Sequence, residues 1–300
     1  MHALSASSRL LVVAPHPDDE TLACGVLIQR VLAAGGRVRV LLLTDGDDNP
    51  WPQRWLERRW TIDAASRCRW GRRRRGEVLR ALHRLGVPAA ALQALGWPDM
   101  GLTARLRDDM AATRAAVAEA VDDFAPTLLA LPALGDRHPD HAAAHVMCRL
   151  ALGMATPFAW LTYGVHGASR AGAADVVPAL PAQQRCKLEA LAEHATQMAL
   201  SGRRMRRLAA RTERFADGAD ARAATDRLPW RPPAMLQPFL RLLVADASGA
   251  TDHAWRDAVT RDRHGYRLAL ANPAAGPRFA KLHLDGASPW IFDHWGWCRI

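Results

Sequence analysis

Apolar residues in the first half of the chain fall into short unbroken runs, each followed by a segment of helical period. Arg9 to Ala14 carries Leu10, Leu11, Val12 and Val13 in succession, which predicts a strand covered on both faces. Glu20 to Ala34 predicts an apolar helix stopped by Gly35 and Gly36. Val38 to Thr44 predicts a second buried strand, Gly76 to Leu85 a helix and Leu92 to Leu95 a short strand. Thr103 to Phe124 reads as one long amphipathic helix ended by Pro126, Thr127 to Leu131 as a further strand, and about Asp140 to Leu152 as a helix. Strands alternating with helices of this length require right-handed crossovers, so the expected fold is α/β, Rossmann-like, with a mostly parallel sheet and helices on both faces. Ligands of such sheets sit outside the carboxyl ends of the strands.

Two stretches break the pattern. Asp45 to Arg75 holds Trp51, Trp55, Trp60 and Trp70 and is long for a connection, which predicts a functional lid or a flexible insert. From Ser201 onward the chain turns arginine-rich (Arg203 to Arg207, Arg211), then proline-rich (Leu228 to Pro233), and ends with Trp290, Trp295 and Trp297. The expected organisation is residues 1–200 as one domain and 201–300 as a C-terminal extension, packed on the same domain or appended to it. Asp45 to Arg75 and the tail are expected to wall a cleft around the sheet end.

The chain has 300 residues, 49% of them hydrophobic, and no run of ~18 uncharged apolar residues, as expected of a soluble globular protein. The apolar stretch after Arg9 is too short for a secretion signal, so the cytoplasm is the expected compartment. Cys24, Cys68, Cys148, Cys186 and Cys298 are scattered, without a C-x-x-C pair, and read as reduced thiols. A net charge of +10 comes from arginine, since Lys187 and Lys281 are the only lysines. Arginine suits phosphate and carboxylate, which favours anionic partners.

Chemistry concentrates in two short motifs. Pro15-His16-Pro17-Asp18-Asp19-Glu20 lies between the first strand and the first helix, and Asp136-Arg137-His138-Pro139-Asp140-His141 between the Thr127 to Leu131 strand and its helix, with His145 one turn on. Histidine beside proline is often only a turn, and Asp-Asp before a helix is often only a cap. Both motifs nevertheless fall at strand-to-helix positions that converge in a parallel sheet, and together they supply the mixed His and Asp donors of a catalytic zinc site. His141 and His145, at i and i+4, are a further possible donor pair; a supporting role for His145 ranks above it.

At these residues the sequence resembles the LmbE-like, or PIG-L, zinc de-N-acetylases. This family includes the de-N-acetylase of N-acetylglucosaminyl-phosphatidylinositol and the deacetylases of mycothiol and bacillithiol biosynthesis. Its A/P-H-P-D-D-E signature matches Pro15 to Glu20, and its H-P-D-H signature matches His138 to His141. Softer similarities follow at Leu43 to Gly46, Arg73 to Glu77, Leu95 to Asp99 and Lys187 to Gln197, so the resemblance covers about residues 8 to 200. It implies one zinc per chain on His16, Asp19 and His141, Asp18 as general base, and His138 as oxyanion stabiliser; because a carboxylate can orient and charge an imidazole, Asp140 is expected to hold His138 protonated. It places Arg137, Asp45, Trp97, Asp99 and His194 as candidate substrate contacts. Where some members carry a tyrosine two residues before the second motif's first histidine, this chain has Asp136, and Arg137 is the candidate replacement donor.

The implied activity is removal of an acetyl group from an N-acetylated amino sugar. Tryptophan faces stack on sugar rings and arginine grips phosphate, so a phosphorylated or lipid-linked saccharide is the first choice, with peripheral membrane association as a corollary. A thiol-cofactor precursor and an antibiotic glycoside remain compatible. A nucleic-acid surface built from the arginine runs leaves the metal motifs without a role, so no nucleic-acid partner is expected. A two-zinc phosphatase would need more bridging ligands than these motifs offer.

Overall fold

The computed structural model describes residues 3–153, 156–167, 174–217, 225–270, 276–286 and 291–300. Trp290 of the tryptophan-rich end therefore lies outside the described residues. The chain opens with β1 (Arg9–Ala14), α1 (Asp19–Ala33), β2 (Arg37–Thr44), α2 (Pro50–Glu57), α3 (Ala64–Arg84), β3 (Leu92–Trp97), α4 (Leu102–Asp108), α5 (Met110–Phe124), β4 (Leu128–Pro132) and α6 (Pro139–Leu152). It continues through β5 (Ala159–Tyr163), β6 (Ala174–Val177), α7 (Pro181–Ala192), α8 (Ala195–Ala209) and β7 (Glu213–Asp217). The final part holds β8 (Arg227–Leu228), β9 (Leu240–Asp246), β10 (Gly249–Ala254), α9 (Trp255–Ala258), β11 (Val259–Asp262), β12 (Gly265–Leu268), β13 (Phe279–Leu284) and β14 (Trp297–Arg299).

The main sheet has the order β3-β2-β1-β4-β5-β7-β6. The first five strands pair in parallel, and β7 is antiparallel to both β5 and β6. Successive residues of β1 explain why its sequence is an unbroken apolar run. Leu10, Val12 and Ala14 face a core shared with α1, α3, α7 and α8, whereas Leu11 and Val13 face the core of α4, α5 and α6. The strand order reverses between β1 and β4, and a doubly wound sheet opens a ligand crevice at that place.

The Asp45 to Arg75 segment is neither a loose insert nor a loop: it forms α2 and the first half of α3. Asp63 caps α3 by accepting the Ser66 N–H at 2.7 Å, and the helix runs on through the arginines to a buried stripe that includes Trp70, Arg74, Glu77 and Ala81. Arginine is a good helix former, and this stripe is partly polar, which hides it from a hydrophobic period. The expected helix from Thr103 to Phe124 is two helices, because Asp109 leaves helical geometry at φ −146° and ψ 47°.

Residue 200 falls inside α8, and the main sheet draws on the chain as far as β7. A buried pair, Lys187 Nζ to Glu213 Oε1 at 2.7 Å, ties α7 to β7. Beyond it, β10-β9-β13-β14 forms a second sheet. One face of it sends Leu243, Ala245, Phe279 and Trp297 into the core of α4, α5 and α6, and the other packs with β8, α9 and β12. Burying each such side chain stabilises by about 1.5–3 kcal/mol. Among the described residues no helix is long and apolar enough to cross a membrane.

Candidate metal centre and active site

Loops leaving the carboxyl ends of β1 and β4 meet at the reversal of strand order. In the first, Pro15 to Asp18 turns the chain into α1. Asp18 has φ 127° and ψ −21°, a region that residues with a Cβ seldom adopt and that costs about 1–3 kcal/mol. Its surroundings hold it there: its N–H donates to Glu20 Oε2 at 3.1 Å, and the buried Arg74 donates to the Pro17 carbonyl at 2.8 Å and to the Gly46 carbonyl. Gly46 sits at φ +62°, and a side chain there would collide with the Arg74 guanidinium. In the second loop, Pro139 starts α6 and His138 caps it, with Nδ1 accepting the Asp140 N–H at 3.3 Å.

Three donor atoms form a nearly equilateral triangle. His16 Nδ1 lies 3.3 Å from His141 Nε2 and 3.4 Å from Asp19 Oδ2, and the last two atoms are 3.2 Å apart. A tetrahedral ion with bonds of about 2.0–2.1 Å keeps its ligands about 3.3 Å apart, so the residues present fit a zinc-type ion. The second nitrogen of each histidine also has a carboxylate. His141 Nδ1 lies 3.3 Å from Asp136 Oδ2, while His16 Nε2 lies 3.2 Å from Asp99 Oδ1 and 3.3 Å from Asp140 Oδ2. Carboxylates so placed fix ring orientation and strengthen a ligating imidazole. They are themselves fixed by main-chain N–H groups: those of His138, Val165 and His166 on Asp136, and those of Met100 and Leu102 on Asp140.

The field at the centre favours cations. Burial opposes charge on His141, yet Asp19 and Asp136 outweigh it and push its pKa up to about 9. Burial would raise Asp19, but His141 and His16 hold it well below the usual carboxylate range. Asp18 is raised to about 6 by burial and then by Asp19, although Arg74 Nη2 stands 3.8 Å away. Burial, followed by the neighbouring His16 and His141, drives His138 far below its ordinary value, so this imidazole is neutral. With Nδ1 accepting from Asp140 N–H, the neutral ring carries its proton on Nε2 and remains a donor. The expectation that Asp140 holds a protonated His138 is thereby corrected: its carboxylate turns to His16 and to the N–H groups ahead of α4.

The other expected contacts divide. Asp99 stands at the centre against His16, and its other oxygen accepts the Asp48 N–H at 2.9 Å. Asp45 is engaged by Arg75 through both oxygens. Trp97 and His194 are 9% and 1% exposed, so neither presents a face to a sugar. Trp97 packs under Arg105, and His194 supports the first turn of α1 at 3.2 Å from Glu20 Oε1. Arg137 does not reach toward the donor triangle; its guanidinium lies over Phe292 in an adjoining cleft of about 640 Å³. His145 Nδ1 bonds the Pro132 carbonyl at 2.9 Å, away from the triangle.

Sequence reasoning overlooked Asp136 as the orienting carboxylate, Arg74 beneath the first loop, and His166, whose ring lies 5.0 Å from that of His141. His166 follows β5 as His138 follows β4, and recognising β5 as a parallel strand would have pointed to it. Phe292 comes from the far end of the chain, 6.2 Å from His138 and 5.4 Å from His166 by ring centroids, and no motif marks it.

The family described as GlcNAc-PI de-N-acetylase (PIG-L) matches residues 11–152, which include both loops and the whole donor triangle. A 1D-myo-inositol 2-acetamido-2-deoxy-alpha-D-glucopyranoside deacetylase of Mycolicibacterium vanbaalenii is 34% identical over 167 residues, 50% of this chain and 56% of that protein. The chain thus spans about half the length of the curated relatives it matches. Among solved structures, a deacetylase of the teicoplanin biosynthetic pathway superposes with TM-score 0.53 at 24% identity, covering 67% of this chain and 88% of that one. The N,N'-diacetylchitobiose deacetylase of Pyrococcus horikoshii gives TM-score 0.54 at 17% identity, covering 71% and 85%. At such identities the likeness shows a shared fold. Residues 11–152 of the chain thus match the PIG-L, LmbE-like de-N-acetylase family.

Proposed function

We propose that the protein is a zinc-dependent hydrolase that removes the acetyl group from an N-acetylated amino sugar of the N-acetylglucosaminyl type. The observation that carries this reading is the triangle of His16, Asp19 and His141, with the buried carboxylate of Asp18, which is not one of the three donors, next to Asp19 in the chain. When bound, a divalent ion on these three residues supplies Lewis acidity, acidifying water and polarising a carbonyl. Asp18, a neighbour of the donors and not one of them, takes the proton of the attacking water and returns it to the departing amine nitrogen. A pKa near 6 leaves it ionised at neutral pH and still able to hold a proton in transit. His138 donates from Nε2 to the oxygen that becomes negative as the carbonyl is attacked. Asp136, Asp99 and Asp140 keep the two outer imidazoles in place through the cycle.

For the substrate we favour a phosphorylated or lipid-linked saccharide. Trp51, Trp55 and Trp60 are 58%, 68% and 79% exposed beside Arg54, Arg58 and Arg59, the composition of a surface that meets anionic lipid headgroups, and this supports a peripheral membrane encounter. Five free cysteines support a reducing, cytoplasmic setting.

Metal analysis and acetate release from a set of N-acetylglucosaminides test the proposal together. The expected result is one zinc per chain, lost with hydrolysis in His16→Ala and His141→Ala, and hydrolysis abolished by chelation and restored by added zinc. Full metal content in both variants, or no acetate from any N-acetylglucosaminide with the zinc-loaded protein, overturns it.

A further inference from the structure

Beside the donor triangle opens the cleft of about 640 Å³, whose wall carries Arg137, Arg204, Arg207 and Arg211 together with His166 and Phe292. Arg204, Arg207 and Arg211 are spaced i, i+3 and i+7, so they form one stripe along α8 and the residue pair after its end, while Met205 and Ala209 bury the opposite face. Arg203 and Arg206, equally exposed, do not line the cleft. The cleft therefore takes a selected face of the arginine run.

Side chains from three separate parts of the chain converge there. The guanidiniums of Arg137 and Arg204 each lie 5.8 Å from the centroid of the Phe292 ring. Arg137 is placed by its N–H, which donates to the His166 carbonyl at 3.0 Å, and by its stem lying against Gly167, where a Cβ would meet Cγ at 3.4 Å. Arg204 Nη2 donates to His166 Nδ1 at 3.1 Å. Its helix is anchored at the start by Glu77, which accepts the Thr196 N–H at 3.1 Å. Among the described residues none of the four arginines has a carboxylate ion-pair partner. Like charges brought together without a counter-charge repel, and an anion in their midst reverses the sign.

Position fixes which part of a substrate reaches the cleft. His166 is shared between the two places, its ring tilted against that of His138 and edge-on to that of His141 on one side and bonding Arg204 on the other. In an N-acetylated amino sugar the acetamide stands on C2, flanked by C1 and C3, and of these two C1, the anomeric carbon, is the one that carries the linked group of a glycoside or sugar phosphate. We propose that the cleft is the subsite for a phosphate group carried on C1 of the sugar, gripped by Arg137, Arg204, Arg207 and Arg211. Planar guanidiniums pair bidentately with phosphate oxygens, and several around one group match its double charge. The inference rests on the deacetylase reading of the adjoining centre and adds the class of substrate to it.

The test compares acetate release from N-acetylglucosamine 1-phosphate and from methyl N-acetylglucosaminide, in the zinc-loaded protein and in an Arg204→Gln/Arg207→Gln variant. The phosphate is expected to raise kcat/KM about tenfold or more, chiefly through KM, and the variant to collapse that ratio toward one. A ratio near one in the wild type, or an unchanged ratio in the variant, overturns the subsite. If neither sugar releases acetate, the deacetylase reading fails by itself, and calorimetric titration with N-acetylglucosamine 1-phosphate still decides the cleft. Saturable binding weakened about tenfold by the double substitution supports it, and absence of such binding overturns it. Retention on phosphatidylglycerol vesicles that is lost in the variant yet not displaced by the sugar phosphate assigns the arginines to a lipid surface and likewise overturns the subsite.

Discussion

At the donor triangle, charged groups meet partners inside the protein: Asp136, Asp140 and Asp99 each accept main-chain N–H groups and stand against an imidazole, and Arg74 is buried on two carbonyls. Across His166, the four arginines face open space, and among the described residues they have no carboxylate to answer them. The first region is organised before anything binds, as stabilisation of developing charge requires. The second is left incomplete, with a field that a ligand completes. Under the proposed function, acetyl removal calls for the first arrangement whatever the sugar carries, and the proposed choice among sugars falls to the second.

Asp18→Asn strikes the completed region hardest. It is expected to lower kcat/KM by about 10²–10⁴-fold while metal content stays at the wild-type level. A base must be ionised, and this carboxyl is raised to about 6, so wild-type kcat/KM should fall about tenfold per pH unit below that value. The acid limb should vanish in the variant; an acid limb that persists there removes Asp18 as the base.

Asp136→Asn leaves His141 as a donor but takes away the carboxylate 3.3 Å behind it. Metal affinity is expected to weaken about 10–100-fold, read by competition with a chromogenic chelator. Unchanged affinity would show that main-chain contacts alone orient the ring.

The smallest effect sharpens the contrast most directly. Arg74→Gln strips the buried Gly46 and Pro17 carbonyls of their donor, and urea unfolding should report a loss of about 1–3 kcal/mol. Arg207→Gln, on the open wall, should stay within about 0.5 kcal/mol of wild type. Equal losses would mean that the wall, too, is part of the protein's own scaffold.

Most of the parallel sheet was legible because each buried strand needs apolar residues on both faces. β1 has the bounds the pattern predicts, and α1, β2, β4 and α6 shift by a residue at their ends. The two donor loops were legible for a related reason, as polar residues packed directly against such strands. α3 was half missed because Arg74 and Glu77 fill its buried face, and their partners, Pro17 and Thr196, are remote in sequence. Asp140 was given the wrong partner because adjacency to His138 in the chain says nothing of where a side chain at the head of α6 points. Phe292 and the stripe on α8 depend on the path of the tail, which no local pattern specifies.

Both lysines of the chain are spent inside it, Lys187 against Glu213 and Lys281 against Asp293, at 0% and 5% exposure. Every exposed basic side chain outside the histidines is consequently a guanidinium, which keeps its proton throughout the alkaline range. The surface potential of this protein should hardly drift between pH 8 and about 11 on the basic side, and amine-directed labels or cross-linkers will find no accessible lysine.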